Sequence, residues 1–90
     1  MNKKEMGITV KGLMEYAEIC LGSENYQELD NVLNIAFTIA NAWDLKEIDC
    51  VERNCDYYRT EARFQIKEDI ARIERDVARL TELKAIYSTL

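Results

Sequence analysis

The chain has no histidine, no proline and only three glycines in 90 residues. Lack of histidine removes the commonest general base and the commonest zinc ligand. Lack of proline, with glycine confined to positions 7, 12 and 22, leaves residues 23–90 free of backbone breakers, which favours helices over turn-rich β structure. The glycines lie too far apart to form a phosphate-binding loop. Cys20, Cys50 and Cys55 are odd in number and irregular in spacing, which suits a reducing cytosol better than a disulfide scaffold. Cys50 and Cys55 have no second pair nearby and sit about 140° apart on a helix, so they predict buried small side chains and no zinc site. Met1–Met14 lacks the apolar run of a signal peptide, and no segment approaches the ~20 apolar residues of a membrane span. The expectation is a cytoplasmic, non-enzymatic domain without metal or cofactor and without a membrane anchor.

What is present is amphipathic. Apolar residues make up 48% of the chain, enough for one folded domain over residues 1–90. The net charge of −5 is unevenly placed: +2 over residues 1–12, −8 over 13–52 and +1 over 53–90. An acidic front half repels nucleic acid and attracts basic surfaces.

Residues 1–8 read as a basic tail. Thr9 is positioned to cap a helix over 9–21 with Leu13, Met14, Ala17, Cys20 and Leu21 inward. Gly22 suits a left-handed helix stop, and Ser23 suits the cap of a second helix over 24–43. A junction this short folds the second helix back on the first. Residues 31–43 carry no charge at all. Leu29, Val32, Leu33, Ala36, Ile39, Ala40 and Trp43 form one broad face there, with Ile35 and Phe37 beyond it. Opposite them, Asn31, Asn34, Thr38 and Asn41 line a polar stripe. Together with Glu24, Glu28 and Asp30 this stripe is the candidate surface for a protein partner, because uncharged amides fix register without the desolvation cost of buried ions.

Asp44 and Glu47 match a capping box that opens a third helix over 45–54. Asn54 and Asp56 mark a break before a fourth over 56–88, yet the apolar phase Leu45, Ile48, Val51, Cys55, Tyr58, Ala62, Ile66 also permits one continuous helix. From Ile66 the stripe runs through Ile70, Ile73, Val77, Leu80 and Tyr87, in steps of three, four or seven. β-Branched residues at heptad position a and Leu or Ile at d resemble a short coiled coil. A parallel pair sets Asp69 against Glu74, whereas an antiparallel pair can set Lys67 against Glu74, so antiparallel packing is favoured. A second stripe, Tyr57, Phe64, Ala71, Ala78 and Ala85, offers a close approach to another helix.

The fold expected is therefore all-α: a bundle of three or four helices with a long C-terminal coiled-coil-like helix, forming a homodimer through that helix (Ile66, Ile70, Ile73, Val77, Leu80 and Tyr87) and the uncharged second helix. The function expected is a protein–protein interaction module, a small regulator, adaptor or inhibitor. Two alternatives stand beside it. One is a nucleic-acid-binding regulator using Arg72, Arg75 and Arg79, although Glu24, Glu28 and Asp30 occupy the start of the would-be recognition helix and interleaved acids cancel the arginines. The other is an acidic inhibitor of a nucleic-acid-binding protein, of the kind a small mobile element encodes. The carboxylate pairs Glu15/Glu18, Glu24/Glu28 and Asp49/Glu52 read as solvated surface.

Overall fold

Residues 1–90 are described by a computed structural model in which every regular element is helical. They are α1 (Lys3–Gly22), α2 (Tyr26–Ala42) and α3 (Ile48–Thr89). Neither turn uses a glycine. Both helices close with a Schellman motif, in which the two amides beyond the cap reach back to the last carbonyls. At the first turn, Glu24 N–H donates to Leu21 O (3.2 Å) and Asn25 N–H to Cys20 O (2.9 Å). At the second, Asp44 N–H donates to Asn41 O (3.2 Å) and Leu45 N–H to Ala40 O (3.0 Å). The motif needs a left-handed residue, and Glu24 (φ 60°) and Asp44 (φ 48°) supply it.

The helix starts differ from the sequence expectation. Residues 3–8 are the first turns of α1, not a tail. The Asn2 carboxamide oxygen accepts from Glu5 N–H (2.9 Å), which caps the helix seven residues ahead of Thr9. Ser23 ends α1 instead of starting α2; its hydroxyl donates to Ile19 O (2.9 Å) and carries the helix past Gly22. Asn25 caps α2 through Glu28 N–H (3.4 Å). The Asp44–Glu47 capping box does not form, because Asp44 is committed to the left-handed turn and α3 starts at Ile48 without a side-chain cap. The expected break at Asn54–Asp56 is absent. Asn54 lies inside a single helix of 42 residues, and its amide contacts Cys50 Sγ (3.5 Å) without interrupting the backbone ladder.

α1 and α2 form a hairpin that packs on the first part of α3. The core is Val10, Ala17 and Cys20 from α1, Leu29, Val32, Leu33, Ala36 and Ala40 from α2, Leu45 from the second turn, and Val51, Cys55 and Ala62 from α3. Four alanines and two cysteines keep the helices close and the core volume small. Half-buried Leu13, Met14, Leu21, Ile39, Ile48 and Tyr58 seal its edge. Trp43, expected inside, caps α2 at the rim and is 36% exposed. Arg59 clips α3 to α2: its guanidinium pairs with Asp30 (2.6 Å) and donates to Asn34 Oδ1 (2.8 Å). Tyr26 Oη hydrogen-bonds Gln65 Oε1 (2.9 Å) at the end of the hairpin.

The hairpin stops there, but α3 does not. The molecule measures 72 × 18 × 16 Å, with a radius of gyration of 20.0 Å. A compact chain of this length has a radius near 12 Å.

Two stability outcomes follow. Leu33→Ala opens a cavity in a small core and lowers the unfolding free energy by about 2–5 kcal/mol, read from the urea midpoint. Glu24→Gly relieves a left-handed backbone at a residue whose side chain is exposed, and raises stability by about 1 kcal/mol in the same titration.

Candidate interaction surface

The dominant surface feature is the overhang of α3. Val51, Cys55, Tyr58, Ala62 and Ile66 lie on one helical stripe, and Ile70, Ile73, Val77 and Leu80 continue it in steps of three and four. The hairpin covers the first group and ends at Ile66, which is half-buried. Beyond it nothing covers the stripe: Ile70 is 51% exposed, Ile73 55%, Val77 56% and Leu80 51%. Tyr87 continues the ridge, Leu83 and Leu90 flank it, and Ile86 lies turned away from it, all exposed. Leu83 stands next to the charged Lys84, which falls where the seven-residue spacing from Ile70 and Val77 calls for an apolar residue. All six residues expected to self-associate thus lie on one face. Five are open to solvent and the sixth, Ile66, is half-buried where the hairpin ends.

The overhang is electrically neutral. Residues 67–90 carry Lys67, Arg72, Arg75, Arg79 and Lys84 against Glu68, Asp69, Glu74, Asp76 and Glu82, so the whole charge of −5 resides in residues 1–66. Arg72 pairs with Asp69 (3.3 Å), and Arg79 pairs with Glu82 (3.1 Å). Such exposed pairs contribute tenths of a kcal/mol each.

The second stripe has no neighbour. Tyr57 and Phe64 are each 59% exposed, and Ala71, Ala78 and Ala85 face solvent. Only Tyr57 finds an aromatic partner, meeting Tyr58 edge-on at 5.7 Å.

The polar stripe of α2 lies outward as expected, with Asn31, Asn34, Thr38 and Asn41 exposed and flanked by exposed Ile35 and Phe37. Part of it is already engaged within the chain. Asp30 and Asn34 hold Arg59, and the Thr38 hydroxyl donates to Asn34 O (2.7 Å). Glu28 is half-buried in the first turn of α2, and Glu24 serves the α1–α2 turn. No local pattern links residue 59 to residues 30 and 34, so sequence reading missed this clip.

It also missed a basic cleft. Lys3, Lys4 and Lys11 of α1 meet Lys46 of the second turn around a half-open space of about 520 Å³, with Gly7, Ile8, Asp44, Leu45 and Glu47 completing the wall. Every base of residues 1–52 is gathered there. Gly7 is buried beside the Glu47 carboxylate, and a Cβ at that position would stand in ordinary contact with it, 3.4 Å from Glu47 Oε1.

All three cysteines are free. Cys20 and Cys55 are buried, whereas Cys50, expected inside, faces solvent. Burial pushes the Cys55 thiol up, against the opposing pull of the Arg59 guanidinium, and its Sγ donates weakly to Leu33 O (3.8 Å). No three Cys, Asp or Glu side chains converge into a metal-holding group, and no helix is long and apolar enough to cross a membrane. The thiols provide a check on the packing. A thiol reagent consumes one equivalent, at Cys50, from the native chain, and reaches Cys20 and Cys55 only after denaturant is added.

No protein-family model matches the chain, and neither a curated protein nor a solved structure matches it.

Proposed function

We propose that this chain is a non-enzymatic interaction module, a small regulator or adaptor that works by pairing helices along the α3 overhang, with a homodimer as its basic state. The uncovered ridge carries the reading. An isolated helix of the overhang's length is marginal in water, because its stability comes chiefly from packing of its apolar face. Ile70, Ile73, Val77, Leu80 and Leu83 are each about half exposed. Covering what remains of each is worth on the order of 1 kcal/mol. The sum over two copies is of the same order as the cost of association, so the pairing is reversible and concentration-dependent. The polar rather than charged outer face of α2, from Asn31 to Asn41 between Ile35 and Phe37, supports a second contact surface for another protein. Three unpaired thiols support residence in a reducing compartment such as the cytoplasm.

Ile73→Asp tests the reading without touching the core. In sedimentation equilibrium the wild type populates a species of twice 10.5 kDa as concentration rises through the micromolar range, and added salt does not disperse it. The variant keeps its helical circular dichroism and stays at 10.5 kDa. A wild type that remains at 10.5 kDa into the millimolar range sinks the proposal.

A further inference from the structure

The geometry points to one arrangement for the second copy: an antiparallel pair in which residues 67–90 of each chain lie side by side, with Leu90 of each beside the other's hairpin. This rests on the ridge being a self-pairing surface and names how the copies meet.

Sterics decide the direction. The hairpin and the ridge occupy the same face of α3, because Val51, Cys55, Ala62 and Ile66 share a stripe with Ile70 and Ile73. Two α3 helices paired in parallel through that face bring both hairpins into the same space between them. An antiparallel pair sends the hairpins to opposite ends. The hairpin also sets the register. Placing Lys67 opposite the partner's Glu74, the ion pair that sequence favours, slides the partner's Leu90 alongside Val51, which the hairpin already buries. Matching the overhangs end to end avoids this. The partner's Leu90 then lies beside Lys67, at the step where Tyr26 meets Gln65.

That register is self-consistent along the ridge. Ile70 meets the partner's Tyr87, and Val77 meets the partner's Leu80 on both sides of the dyad. Ile73 meets the partner's Lys84, whose aliphatic stem can lie across it while the ammonium reaches water. On the flanks Asp69 faces the partner's Leu90, Asp76 the partner's Leu83 and Glu74 the partner's Thr81, so no like charges oppose. A parallel pair sets Asp69 against the partner's Glu74. Charge favours the same choice at longer range. The neutral overhangs meet, and the two bodies that carry −5 each are held apart by about 36 Å of helix, several Debye lengths at physiological salt.

Two measurements test this. In a Cys50→Ser background, with Cys20 and Cys55 buried as spectators, Ile70→Cys and Tyr87→Cys chains are mixed and mildly oxidised. The mixture forms a disulfide-linked dimer, and neither variant alone does. Small-angle scattering of the wild-type dimer gives a maximum dimension near 110 Å, the 72 Å monomer lengthened by one shared-overhang offset of about 36 Å. Variants that link only to themselves, or a dimer about 72 Å long, overturn the antiparallel arrangement and leave self-association standing. A dimer by sedimentation whose mixture does not link overturns the register. A particle that stays monomeric at every concentration removes both.

Discussion

The apolar stripe of α3 runs from Ile48 to Leu80 without a break, but the α1–α2 hairpin reaches only to Ile66. One helix is thus asked to satisfy two partners in succession. Its first part is dried by the hairpin, through Val51, Cys55 and Ala62. Its second part presents the same kind of residue at the same spacing to water. A stripe of uniform chemistry that is half covered is the constraint on which the rest of the molecule depends, because the hydrophobic effect acts on area and does not distinguish a neighbour in the same chain from one in another.

The covered half is built for close approach more than for bulk. Alanines at 17, 36, 40 and 62 bring the three helices together, and Leu29, Leu33 and Leu45 are the largest aliphatic side chains enclosed. Two Schellman turns aim the elements, each with a non-glycine residue in the left-handed region. Arg59 ties α3 to α2 through Asp30 and Asn34, and Tyr26 closes the end nearest the overhang. The result is a small acidic head carried on a neutral helical arm.

Helix content was legible because the signals are local: absent proline, a Gly-Ser junction and sustained steps of three and four. The buried faces of α2 and of early α3 were likewise legible from periodicity, with Leu33, Ala36, Val51 and Cys55 falling where the stripe places them. Helix starts were not. Several residues compete for each cap, and the choice among Asn2, Thr9, Ser23 and Asn25 depends on which turn closes best. The capping box at Asp44 failed because the same residue was needed for the preceding turn. The Arg59 clip and the lysine cleft join residues distant in sequence, and no spacing rule reports such meetings. The ridge of α3 was legible in full, but its exposure was not, since a periodic stripe says that a face wants cover without saying where the cover ends. The stripe of Tyr57, Phe64 and the following alanines likewise has the spacing of a contact face, and nothing within the chain covers it.

The most direct measurement is amide hydrogen exchange along α3 at two protein concentrations. If a second copy covers the ridge, amides of residues 67–90 exchange quickly in dilute solution and slow markedly as concentration rises, while those of residues 48–66, sheltered by the hairpin, exchange at the same rate throughout. Exchange over residues 67–90 that is independent of concentration, whether uniformly fast or uniformly slow, contradicts the account.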